Sequence, residues 1–132
     1  MYKVIKIYKG AATSFIDLLN LDTGTIDKVF DDSSVVSYDN FGFIKEGGIY
    51  DCKIELFGNF LNNKSDSSVE ITLAETNAVV GNTKYIKVLI NSDVYYIPES
   101  ETKDIGLKEK MYYHFTRKDL IQVDDIIHAD CL

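Results

Sequence analysis

Short runs in which apolar and polar residues alternate make up most of this chain, and turn signals separate them. A period of two marks strands that bury one face, because successive side chains on a strand point to opposite sides. The first run, Tyr2 to Tyr8, sets Tyr2, Val4, Ile7 and Tyr8 among lysines and ends at Gly10-Ala11-Ala12. Ser14 to Leu21 fits a helical face as well, through Phe15, Ile16, Leu18 and Leu19. It is read as a strand because Leu19 to Ile26 has the form of a hairpin around Asp22-Thr23-Gly24, with Thr25 to Phe30 returning. After Asp31-Asp32-Ser33-Ser34 comes a long connection carrying Tyr38, Phe41 and Phe43. Gly47-Gly48 then launches Ile49 to Phe57, whose alternation is nearly complete.

Leu61 to Ser68 is the most polar segment and reads as an exposed loop. Beyond it Val69 to Glu75 alternates, Lys84 to Ile90 and Val94 to Ile97 form a hairpin across Asn91-Ser92-Asp93, and Pro98 closes the second strand. Glu99 to Lys110 is a charged loop, followed by a strand from Met111 to Phe115. Thr116-Arg117-Lys118-Asp119 has the form of a helix-capping box, which predicts one helical turn over Leu120 to Val123 and a last strand through Ile126, Ile127 and His128. The alternative is one long strand with a bulge at Asp124-Asp125.

These elements predict one all-β domain over residues 1–132, a small antiparallel barrel or barrel-like sandwich with at most one short helix. The order of the first half loosely resembles an OB-type Greek-key barrel, a likeness of fold without a diagnostic motif. Composition agrees with a packed domain. Hydrophobic residues are 45% of the chain and 12% are aromatic, so no disulfide or metal is needed to hold a core together. Cys52 and Cys131 lie outside any Cys-x-x-Cys spacing and are read as reduced structural thiols.

Charge narrows the partners. Asp and Glu number 21 against 14 Lys and Arg, a net charge of −7, and Arg117 is the sole arginine. Long-range attraction to duplex nucleic acid or an anionic membrane is therefore disfavoured. Lysines interrupt the Met1 end, and no apolar stretch approaches a membrane span, so a cytoplasmic protein is expected. Heavy use of Ile, Asn, Asp, Lys and Tyr resembles the bias of low-GC bacteria and their phages.

The chemistry-bearing patterns are sparse. Asp124 and His128, four apart near Asp125, Asp130 and Cys131, form a weak metal candidate that would need a helical turn to align them. Asp22-Thr23-Gly24 resembles the catalytic triplet of aspartic proteases, but its place between two strands reads as a hairpin turn. His114, between Tyr113 and Phe115, could polarise a thiol, but a strand histidine flanked by aromatics reads as a packed or surface residue. No Walker A, Gly-x-Ser-x-Gly or Gly-x-Gly-x-x-Gly pattern occurs, and no cofactor is expected.

Binding is the function these residues predict. Adjacent tyrosines on a strand point to opposite faces, so one of Tyr95 and Tyr96 and one of Tyr112 and Tyr113 is expected outside. Tyr38, Phe41, Phe43, Tyr96 and Tyr113 are the aromatic candidates, and Asp31 and Asp32, in the acidic stretch Asp27 to Asp39, are the charged ones. Together they predict a non-enzymatic acidic module that binds a protein, such as a phage or mobile-element inhibitor of a basic host protein. The runner-up is an OB-like single-stranded nucleic-acid binder, which would gather lysines around tyrosines on one face. A small Asp-based or metal-dependent hydrolase comes third. Oligomeric state is not readable from the sequence.

Overall fold

The computed structural model describes residues 1–36 and 40–132, the side chains of residues 35 and 36 excepted. Among the described residues, 59% are in strands and 7% are helical, as the alternation predicts for an all-β domain. The strands are β1 (Tyr2–Lys9), β2 (Ser14–Asn20), β3 (Ile26–Asp31), β4 (Ile49–Tyr50), β5 (Cys52–Leu61), β6 (Val69–Val80), β7 (Thr83–Ile90), β8 (Asp93–Pro98), β9 (Lys110–Val123) and β10 (Ile126–Ile127). Among the described residues, one helical turn, α1 (Ser33–Val36), and two 3₁₀ turns, Glu99–Thr102 and Ala129–Cys131, are the other elements.

All ten strands belong to one sheet. Five of them form a ring of hydrogen bonds, in which β9 pairs with β5 and β6, and β7 and β8 bridge those two. Of the other five, β3, β2, β1 and β4 extend from β9 in that order, and β10 pairs with β9 alone. The sheet is mixed where the sequence pointed to an antiparallel one. β5 meets β8 in parallel at Glu55 and Tyr96, and β3 meets β9 in parallel at Phe30 and Asp119.

Both faces of part of this sheet are buried. Leu18, Val29, Ile54, Ile86, Tyr95, Tyr113 and Leu120 belong to the larger core, whereas Val80, Tyr85, Tyr96, Ile121 and Cys131 form a second cluster. Neighbours in sequence are split between them: Tyr85 and Ile86, Tyr95 and Tyr96, Leu120 and Ile121. The period-two geometry of a strand sends each pair to opposite sides.

Three local readings change. Residues 116–123 continue β9 instead of forming a helical turn, and Asp124-Asp125 is the tight turn from which β10 folds back onto β9. The alternation read as one strand from Ile49 to Phe57 is broken at Asp51, which exchanges two hydrogen bonds with Asp124: its N–H donates to Asp124 Oδ1 at 2.9 Å, and its carbonyl accepts from Asp124 N at 2.7 Å. β6 runs on past Glu75 to Val80, with register shifts and Asn77 at φ 60°, before turning at Gly81 and Asn82.

Asp22-Thr23-Gly24 is the predicted hairpin turn. Asp93, buried at the β7–β8 turn, accepts from the Thr23 hydroxyl at 2.6 Å and the Thr25 hydroxyl at 2.7 Å, so the two hairpin ends are tied together. Among the described residues no helix is long and apolar enough to cross a membrane.

Candidate functional site

The register of β1, β2 and β3 sets three rows of side chains on the face away from the core. Ile16, Leu18 and Val29 point inward, which leaves Phe15, Asp17 and Leu19 on β2 and Ile26, Lys28 and Phe30 on β3 outward. Opposite residues form the rows Tyr8–Phe15–Phe30, Lys6–Asp17–Lys28 and Lys3–Leu19–Ile26. Tyr8 and Phe15 keep 39% and 40% of their surface, and Ile26 keeps 60%. The Phe15 and Phe30 rings pack at 5.3 Å between centroids. The Tyr8 hydroxyl donates to Asp17 Oδ2 at 2.9 Å, while Lys28 and Lys6 place their ammonium groups 4.2 and 5.0 Å from its ring centroid.

The aromatic row continues past β3. The Arg117 guanidinium on β9 lies 4.6 Å from the Phe30 ring and 4.7 Å from Phe57 on β5, bridging two rings by cation–π contact. Asp119 holds it there by a fork of two bonds, from Nε at 2.6 Å and Nη2 at 3.1 Å. Tyr8, Phe15, Phe30, Arg117 and Phe57 therefore follow one another across five strands.

A cleft of about 330 Å³ adjoins Arg117 and Phe57, with Asp32, Glu55, Asp119, His128 and Cys131 in its wall. Glu55 stands directly across the β5–β9 ladder from Asp119. Burial pushes the Glu55 carboxyl up to about 7; the Tyr85 hydroxyl opposes the shift and the Asp119 carboxylate adds to it. The folded protein thus holds a proton on Glu55 between pH 4.5 and about 7 that the unfolded chain has released. That contribution to stability is fully present below pH 4.5 and is lost as pH rises through about 7. Glu55→Gln should remove it, so urea midpoints of the variant should gain on those of the parent between pH 4.5 and about 8. Parallel curves for the two proteins would show Glu55 to titrate as it does in water.

His128 is buried, and both of its ring nitrogens are engaged. Nδ1 accepts the Asp130 N–H at 3.1 Å, which puts the imidazole proton on Nε2, where it is donated to Asp32 Oδ1 at 2.6 Å. Ligating atoms of Asp32, His128 and Asp130 do lie within 4.8 Å of one another. A metal on Nε2 would need the proton on Nδ1, facing another N–H, so the imidazole is built as a strut between the C-terminal segment and the start of α1.

The residues singled out in the sequence are dispersed. Asp31 is buried, and its Oδ1 accepts Ser33 N–H at 2.8 Å at the start of α1; Asp32 is taken by His128, so neither is a free docking charge. Tyr96 and Tyr113 are buried, Tyr113 against Phe60, and present no ring to a ligand. Tyr95 is buried too, because both sheet faces are covered there. Phe41 is in the core, Phe43 is exposed and packs edge-on to Tyr50, and Tyr38 lies outside the described residues. The metal candidate Asp124 and His128 is not assembled, since no helical turn aligns them and Asp124 Oδ1 accepts Asp51 N–H. Cys52 is buried, which pushes its thiol up to about 12, and Cys131 lies against the Tyr85 hydroxyl at 3.2 Å. His114 Nδ1 donates to the Ser67 carbonyl at 2.9 Å.

The aromatic row was missed, since each member is one outward residue of an ordinary alternating strand and only the cross-strand register unites them. No family model matches the chain, and no curated protein or solved structure does so either.

Proposed function

We infer that this protein is a non-enzymatic binding module that engages a partner protein through the outer face of β1–β3 and its continuation onto Arg117 and Phe57. The observation that carries this reading is the exposed row Tyr8–Phe15–Phe30–Arg117–Phe57. Single exposed apolar residues are normal on a protein surface, whereas a contiguous patch marks an interaction site. Aromatic rings and arginine are also the side chains on which interface affinity concentrates. The neighbouring cleft supports binding over catalysis, because both thiols are buried and both ring nitrogens of His128 are held in hydrogen bonds.

Single-stranded nucleic acid is the second reading, favoured by Lys6 and Lys28 beside the Tyr8 ring. Arg117 is already paired with Asp119, which leaves three lysines on the face against Asp17, too few cations to track a nucleic-acid backbone.

The test is a pull-down from a lysate of a low-GC bacterium, with nuclease-treated and untreated halves, using the parent chain and Phe15→Ala with Phe57→Ala. Both rings are exposed, so the double variant should keep its melting temperature. Loss of two interface anchors should weaken retention of a protein partner by roughly thirtyfold or more. Equal retention by parent and variant would remove this face from the reading, and material lost on nuclease treatment would put the nucleic-acid binder first.

A further inference from the structure

The partner's chemistry can be read from the same face, an inference that rests on the binding-module reading above. Although the chain carries a net charge of −7, the three rows hold Lys3, Lys6 and Lys28 against Asp17 alone. The basic residues line one apolar surface: Leu19 and Ile26 lie on one side of the Lys6–Asp17–Lys28 row, and Phe15 and Phe30 on the other. Successive rows are two residues apart on β2 and β3, or ~6.6 Å along the strand. An extended chain presents every second side chain at that same interval.

We propose that the outer face of β1–β3 docks an extended acidic protein segment carrying apolar, acidic and apolar side chains at alternate positions. The acidic side chain pairs with the Lys6 and Lys28 ammonium groups beside the Tyr8 ring, while the Asp17 carboxylate between them in the row is held by the Tyr8 hydroxyl; one apolar side chain lies on Leu19 and Ile26, and the other on Phe15 and Phe30. Protein fits better than single-stranded nucleic acid for two reasons. The aliphatic surface of Ile26 and Leu19 has no use in base stacking. The Phe15 and Phe30 rings lean on each other at 5.3 Å and 54°, closing the space in which separate bases would stack. The polarity is opposite to that expected from the acidic stretch at Asp31 and Asp32, because those carboxylates are spent inside the fold.

The test titrates three probes into isotope-labelled protein and follows backbone amide shifts. One probe is a synthetic peptide in which leucine, glutamate and phenylalanine recur at alternate positions, spaced by serine; the second has lysine for glutamate; the third is oligothymidylate. The acidic peptide should shift the amides of β1–β3, bind more weakly as salt is raised, and lose about tenfold or more in affinity on Lys6→Glu with Lys28→Glu. Both lysines are exposed, and an unchanged melting temperature checks that the double variant folds. Equal or tighter binding of the lysine peptide at this face would overturn the polarity while leaving the protein-binding reading in place. Oligothymidylate displacing the acidic peptide would overturn both in favour of nucleic acid, and no shift on this face with any probe would end it as a docking surface.

Discussion

Replacing Lys118 with methionine should cost about 3–5 kcal/mol, the range for leaving one member of a buried ion pair without its partner. Asp27 is 4% exposed and takes two short bonds in the core, from Lys118 Nζ at 2.5 Å and the Tyr95 hydroxyl at 2.6 Å. Lys118 is itself mostly buried, with Nζ 5.1 Å from the Tyr95 ring and 4.9 Å from Phe115, so water cannot replace the lost ammonium cheaply. Position adds to the cost. β3 and β9 share the one backbone pairing Phe30–Asp119, so the ion pair fastens the β1–β3 extension to the ring. A urea titration and a melt should show the loss, with a fall of on the order of 10 °C in Tm. Adding Asp27→Asn should recover part of it by removing the stranded charge. A loss below about 1 kcal/mol in the single variant would mean that the pair behaves as a surface salt bridge.

The same lysine shows where the sequence stops being legible. A strand with one wet face, such as β1, announces itself by alternation, whereas β2 and β7 are marked by the turn residues of the Asp22-Thr23-Gly24 and Asn91-Ser92-Asp93 hairpins. Thr116 to Asp119 shows no such pattern, because Arg117 and Asp119 pair on the outer face while Lys118 turns inward to Asp27. With polar residues on both sides, the period-two signal vanishes and a capping box remains as the local reading. Tyr95 and Tyr96 fail in the opposite sense: both are apolar enough for a core, and nothing local reveals that the C-terminal segment covers the second face. The acidic residues mislead for a related reason. Asp27, Asp31 and Asp32 look alike in a polar stretch, yet Asp27 and Asp32 find partners more than ninety residues away, 91 and 96 positions respectively. The candidate face depends on register across strands, which no single run of residues encodes.

Gly58→Ala should be as damaging as losing Lys118, at about 3 kcal/mol or more, by overpacking a site with no room to give. A Cβ on Gly58 would lie 1.9 Å from the His114 carbonyl oxygen and 2.7 Å from Phe115 Cα, and both obstacles are backbone. The close approach belongs to a bulge: Phe57 faces Arg117 and Gly58 faces Phe115, so Thr116 is the extra residue on β9. That extra residue changes which side chains face inward. Met111, Tyr113 and Phe115 point to the core before it, and Lys118 and Leu120 after it, which releases Arg117 to the outer face between Phe30 and Phe57. The glycine thus sets both the Asp27–Lys118 pair and the arginine of the aromatic row. Gly106→Ala is the control, since nothing lies within 4 Å of its Cβ position, and it should be neutral or gain up to about 1 kcal/mol. If Gly58→Ala melted like Gly106→Ala, β9 would have slipped to an unbulged register. Amide shifts from Arg117 to Asp119 would then move together with loss of binding at the outer face, because removing the bulge turns the arginine away from its two rings.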